Sequence, residues 1–158
     1  MKKRLLISVL LVLALTLCCA TAFADDSLPP PDQISENPFY AETVWRYLPR
    51  MDDFHLTLTQ ASIAKASSTS ISGRGYSEVN QKANMVGGTM IFQQWKNNQW
   101  NDYYSVLFMD YDTYACSSTK TITVEPGYYY RLIVIHRSIA YDGSISYTYN
   151  TTKSIYVN

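Results

Sequence analysis

Few side chains in this 158-residue sequence carry the chemistry that a reaction needs. There are two histidines, His55 and His136, and beyond the first 24 residues a single cysteine, Cys116. A thiolate nucleophile needs a nearby base, so Cys116 with His136 is the available pair, but no local signature of a cysteine hydrolase surrounds Cys116. Its simpler reading is a small buried hydrophobe. Zinc catalysis asks for three protein ligands at recognisable His or Cys spacing, and that spacing is absent. Asp110-x-Asp112 and Asp52-Asp53 offer two carboxylates each, too few for calcium, and read as solvated turns. Acidic residues are sparse, and Glu78 and Glu125 fall at predicted strand ends or turns, so no glycosidase pair can be assigned. The Gly-x-Ser-x-Gly elbow of serine hydrolases is missing. These residues predict a protein that is not an enzyme and uses no metal or cofactor.

Aromatic side chains are the stronger signal. The chain holds 14 Tyr and three Trp. Many must serve the core and cross-strand pairs, but Tyr128, Tyr129 and Tyr130 are consecutive, and strand alternation turns at least one of them outward. Trp95 and Trp100 flank the polar turn Lys96-Asn97-Asn98-Gln99, with Tyr103 and Tyr104 close behind. Ring faces beside Asn and Gln can stack on a sugar and hydrogen-bond to it, and Tyr, Trp and Arg also dominate protein-binding hot spots. Trp95, Trp100, Tyr103 and Tyr104 are therefore the candidate ligand-binding residues.

The elements that must position them read as strands. His55 to Thr59 alternates apolar and polar. Ser67 to Ser72 is rich in Ser and Thr, and Gly73-Arg74-Gly75 reads as a bend or bulge. Val86 to Trp95 and Trp100 to Met109 form a hairpin around the polar turn, and Asp110-Tyr111-Asp112 closes it. Thr119 to Val124 is a further strand, ending at the turn Glu125-Pro126-Gly127. Tyr128 to Arg137 is the longest β run, with Tyr128, Tyr130, Leu132, Val134 and His136 on one face. The opposite face carries Tyr129, Arg131, Ile133, Ile135 and Arg137. Tyr141-Asp142-Gly143 is a turn needing positive φ, and Ser144 to Tyr149 and Ser154 to Val157 complete the chain. Seven or eight short strands with regular turns predict an all-β, antiparallel sandwich over residues 53–158.

Residues 122–134, Ile-Thr-Val-Glu-Pro-Gly-Tyr-Tyr-Tyr-Arg-Leu-Ile-Val, resemble the E–F corner of fibronectin type III domains. The resemblance implies an immunoglobulin/fibronectin III-like sandwich with a structural corner built from Pro126, Gly127 and Tyr130. The Tyr130 hydroxyl would bond back to the corner backbone while its ring joins the core. With Gln93-Gln94-Trp95 and Gly127-Tyr128-Tyr129-Tyr130-Arg131, the chain is also similar to small secreted proteins of uncharacterised function from Gram-positive bacteria. That likeness implies an extracellular β-sandwich and brings no activity with it.

The N-terminus sets the expected compartment. Lys2, Lys3 and Arg4 precede the apolar run Leu5 to Leu17, and Ala22-Phe23-Ala24 places small residues at −3 and −1 of a cleavage point. This is the pattern of a secretory signal peptide, residues 1–24. The run is shorter than the roughly 20 residues of a membrane span, so the mature chain has no transmembrane anchor. Lipid attachment at Cys18 or Cys19 is disfavoured because Leu17, not a small residue, precedes Cys18. Residues 25–52 form an arm broken by Pro29-Pro30-Pro31, Pro38 and Pro49, and its aromatic stretch Phe39 to Tyr47 is expected to dock as a short helix or an extended piece. Thirteen basic and 13 acidic residues balance in the full chain; losing Lys2, Lys3 and Arg4 leaves three more acids than bases. Such a chain suits neither nucleic acid nor an anionic membrane surface. The expected partner is an extracellular protein or cell-surface component, or alternatively a glycan; a self-associating structural role is the third reading.

Overall fold

The computed structural model describes residues 28–29, 33–46 and 54–158. The predicted signal segment, Pro30-Pro31, Pro49 and Asp52-Asp53 lie outside them. The described chain is all-β. Seven strands form one antiparallel, strongly curled sheet: β1 Tyr40–Arg46, β2 Leu56–Ser67, β3 Ser70–Lys96, β4 Gln99–Thr123, β5 Tyr128–Ile139, β6 Ile145–Thr151 and β7 Ile155–Val157. The hydrogen-bonded order is β1-β2-β3-β5-β6, with β4 on the other side of β3 and β7 beside the start of β5.

Three predicted short strands and the Ser/Thr-rich stretch before them are in fact two long strands. β3 runs 27 residues and β4 runs 25. The first half of β3 pairs with β2 and its second half with β5, while β4 follows β3 along its length. The ribbon bends where the register jumps from Glu78↔Ala115 to Ala83↔Thr113. β3 therefore carries extra residues at the bend, and a large bulge of this kind turns a strand without ending it. Asp110-Tyr111-Asp112 does not close the hairpin; β4 passes through it, with Asp112 at φ 55° taking up the bend. Each half of the ribbon is thereby placed on one side of the core.

Gly73 and Gly75 also depart from expectation. They are in regular register, opposite Ile63 and Ala61 of β2, with no bend or bulge between them. Their missing side chains make room across the core. A Cβ on Gly73 would lie 2.5 Å from Cζ of Phe92, and one on Gly75 would lie 2.9 Å from Cζ of Phe108. These two rings, with Met90, Leu132, Val134, Ile63 and Ile71, fill the space between the facing parts of the sheet.

Turn chemistry is as the residues require. Asn97 and Asn98 both adopt positive φ at the β3–β4 hairpin tip, as a two-residue primed turn demands. Gly127 and Gly143 do the same at φ 91° and 88°. On β5, Tyr130, Leu132, Val134 and His136 are fully buried, while Ile135 and Arg137 are exposed. The aromatic arm is extended: Tyr40–Arg46 pairs with β2 as an edge strand. Just before it, the Ser35 amide donates to the Ser154 carbonyl at 2.8 Å, and the Ser154 amide donates to the Gln33 carbonyl at 2.6 Å.

Candidate functional site

The four aromatic residues singled out from the sequence do not share one site. Trp95 and Trp100 are cross-strand partners, their rings edge-on with centroids 5.2 Å apart. They lie on the outer face of the sheet, the face of Gln93. The register then slips between Phe92↔Tyr104 and Gln93↔Asp102, so Tyr103 is the extra residue of a bulge. Both tyrosines consequently turn to the core side. The Tyr103 ring meets buried Tyr130 edge-on at 5.7 Å, and Tyr104 lies 6.2 Å from Phe92.

Trp100 is itself engaged. The Arg131 guanidinium stacks over its ring at 4.3 Å, and its indole N–H donates to Oε1 of Gln33 at 2.9 Å. Arg131 Nε donates to Oε1 of Gln93 at 2.8 Å, and Gln93 Nε2 donates to the Asp102 carboxylate at 2.7 Å. The indole thus clamps the docked N-terminal segment and caps a polar chain across three strands. Cation–π stacking of this kind contributes about 0.5–1 kcal/mol at an exposed site. The structural corner is built as its residues suggest: the Tyr130 hydroxyl donates to the Glu125 carbonyl at 2.8 Å and accepts from Gln94 Nε2 at 2.8 Å. Burial pushes the Tyr130 phenol up to about 12.

Burial shifts both members of the Cys116 and His136 pair. Burial, with Asp110 accepting its thiol hydrogen, pushes Cys116 up to about 12, which suppresses the nucleophilic thiolate at neutral pH. His136 is fully buried between β3 and β6. Ser77 Oγ donates to the Gly87 carbonyl at 3.1 Å and lies 2.8 Å from His136 Nδ1. With its single hydrogen on Gly87, Ser77 accepts from Nδ1–H. Burial pushes His136 down to about 4, so the ring is neutral. Among the described residues, no group of three or more His, Cys, Asp or Glu could hold a metal ion, and no helix is long and apolar enough to cross a membrane. The Asn150-Thr151-Thr152 sequon is inaccessible, because buried Asn150 exchanges hydrogen bonds with Thr59 through both side-chain polar atoms.

A surface that sequence reasoning missed stands out once the register is known. On the outer face of β4-β3-β5-β6, residues fall into cross-strand rows. The first row is Tyr111, Met85, Ile139 and Ile145. The next is Met109, Gly87, Arg137 and Tyr147. The third is Leu107, Thr89, Ile135 and Tyr149, and the fourth is Ser105, Ile91, Ile133 and Thr151. Arg137 is the only charge in these four rows. Tyr147 is 78% exposed, Tyr149 71%, Leu107 60% and Ile145 55%. The outer face of the other half of the sheet is more polar and more charged, with Gln60, Ser72, Arg74, Thr119 and Thr121 in register, Glu42, Tyr40 and Val44 of β1 beside them, and Tyr76 donating to Glu78 at 2.5 Å. Alternation along each strand hinted at outward tyrosines, but the strands that lie side by side are set by long-range pairing.

No family model matches the chain, and no curated protein or solved structure shows significant similarity to it.

Proposed function

We propose that this chain is a secreted, non-enzymatic binding domain that recognises a protein or other cell-surface partner outside the cell. The observation that carries the reading is the contrast between its two outer faces. One presents four rows dominated by Tyr, Ile, Leu and Met with a single arginine; the other sets Tyr40, Val44 and Tyr76 among Ser, Thr, Gln and the charged Glu42, Arg74 and Glu78. A contiguous apolar patch of this extent costs solubility and marks an interaction surface in a soluble protein. Tyr147 and Tyr149 are rigid, amphipathic anchors of the kind that dominate hot spots. Secretion rests on the Lys2 to Ala24 pattern. The unreactive states of Cys116 and His136 favour binding over catalysis. The finer fold reading, an immunoglobulin/fibronectin III-like sandwich, is supported by the curled sheet enclosing one core and by the Tyr130 corner.

Protein is favoured over glycan because the rows around Tyr147 and Tyr149 offer few polar groups for sugar hydroxyls. Trp100, the best sugar platform by sequence, already has a ring face on Arg131 and its N–H on Gln33. The test compares residues 25–158 with the Tyr147→Ser/Tyr149→Ser variant for capture of proteins and polysaccharides from the producing cell's envelope and medium. A specific protein captured by the parent and lost by the folded variant supports the reading. Capture of polysaccharide that Trp100→Ala abolishes and the tyrosine variant retains would replace it with the glycan reading.

A further inference from the structure

Among the described residues, no strand pairs with the outer side of β4. This 25-residue strand pairs through its backbone ladder with β3 alone. An edge of this length presents a row of unpaired backbone N–H and C=O groups, a template for another strand. Natural edges are blunted by proline, lysine or bulges; β4 contains no proline and one lysine, Lys120, and its irregularities fall at Tyr103 and Asp112, which leaves residues 105–111 in regular register between them. Exposed Leu107, Tyr111 and Tyr114 add apolar grip along it.

A second feature lies on the same edge. Where β4 bends at Asp112, a cavity of about 400 Å³ opens between Leu107–Asp110 on one arm of the bend and Cys116–Ser118 on the other. Buried Phe108 and Cys116 line it together with Ser117 and Ser118. Asp110 stands in its wall, joined to the Cys116 thiol. The other two carboxylates of β4 are engaged, Asp112 with Lys82 at 2.8 Å and Asp102 with Gln93. Asp110 has no cationic partner among the described residues. An unpaired edge supplies main-chain affinity, and a pocket beside it supplies side-chain selection; together they are the two parts of peptide recognition by strand addition.

We infer that the β4 edge is a second binding site, which takes an extended protein segment by strand addition and selects a basic residue in the cavity beside Asp110. The aliphatic stem of a lysine or arginine packs against Phe108, which shares a face of β4 with Asp110, and its charged head meets the Asp110 carboxylate and the serine hydroxyls. The occupant is a basic extended peptide because Asp110 is the carboxylate left without a counter-charge on this edge. The site shares Leu107, Met109 and Tyr111 with the edge of the tyrosine face but not Tyr147 or Tyr149, which lie on β6 at its far side.

The test selects a displayed library of random nonapeptides on residues 25–158. Enrichment of sequences with one Lys or Arg between β-branched or aromatic residues is expected. An enriched peptide, labelled and followed by anisotropy, should bind about tenfold more weakly to Asp110→Asn, and about tenfold more weakly when alternate backbone nitrogens are methylated. It should bind Tyr147→Ser/Tyr149→Ser as it binds the parent. No enrichment, enrichment of acidic peptides, indifference to backbone methylation or indifference to Asp110→Asn would each overturn the inference. So would dimerisation of the free protein that the peptide does not reverse, because a second copy would then hold the edge.

Discussion

The phenol of Tyr130, fully buried at the start of β5, donates its hydrogen bond to the carbonyl oxygen of Glu125 five residues upstream. One side chain thereby fixes the turn that sends the chain from β4 into β5. The same oxygen accepts from Gln94 on β3, so the hydroxyl joins the corner to the neighbouring strand. Tyr130→Phe keeps the ring and deletes both bonds, leaving the buried Gln94 amide without its acceptor. A loss of about 1–3 kcal/mol in unfolding free energy is expected, from the cost of an unsatisfied buried polar group. Urea denaturation measures it, and a change under 0.5 kcal/mol would show that the bond does not organise the corner.

Packing across the core depends on the absence of a side chain at Gly73. Gly73→Ala drives a methyl group into the Phe92 ring, and overpacking of this kind costs about 1–3 kcal/mol. Phe92→Leu alone is also destabilising, because it shrinks a buried ring. Combined, the two changes should cost less than their sum, since the shorter side chain accommodates the new methyl. Strict additivity in a double-mutant cycle would contradict the contact.

His136 makes stability depend on pH. Its folded value is pushed down to about 4 by burial, against about 6.5 in the unfolded chain. Between these values the unfolded state binds the extra proton, so stability rises with pH across that window. This contribution is fully present above about pH 6.5 and is lost progressively as pH falls towards 4. The span corresponds to roughly 3 kcal/mol, at 1.36 kcal/mol per pH unit. His136→Gln should flatten the stability profile between pH 6.5 and 4, as read by chemical denaturation at a series of pH values. An unchanged slope in that variant would place the titration elsewhere.

Trp100 couples the hairpin to the docked N-terminal segment through the indole N–H that Gln33 accepts. Trp100→Phe retains an aromatic ring beside Arg131 and Trp95 and deletes the N–H donor to Gln33. The loss of about 1 kcal/mol should speed amide exchange at Ser35 and Ser154 by about fivefold, with the central residues of β3 and β5 unaffected. Hydrogen exchange that stays the same at Ser35 would show that the backbone bonds to Ser154 hold the segment unaided.

Local physics was enough for much of the fold. Period-two alternation from Tyr128 to Arg137 assigned each side chain of β5 to the correct face. Asn97-Asn98, Gly127 and Gly143 announced their turns because positive φ is a property of single residues. The Pro126-Gly127-Tyr130 pattern likewise named its own corner. For Cys116 the residues left a buried thiol and a reactive one both open, and the packing of the core decided for the first.

Other features were decided by partners distant in sequence. Whether Gly73-Arg74-Gly75 bends a strand or opens room for Phe92 depends on what packs above it. Asp110-Tyr111-Asp112 could end a strand or carry it round a bend, and the continuous pairing of β4 with β3 chose the second. The bulge at Tyr103 turned two of the four candidate aromatics away from Trp95 and Trp100, a one-residue slip that no periodicity displays. The tyrosine face and the open β4 edge exist only because β6 lies beside β5, β5 beside β3, and nothing described beside β4. A sequence determines which side chains alternate along each strand through local sterics; which strands become neighbours follows from burying one shared core, and that is settled by the whole chain at once.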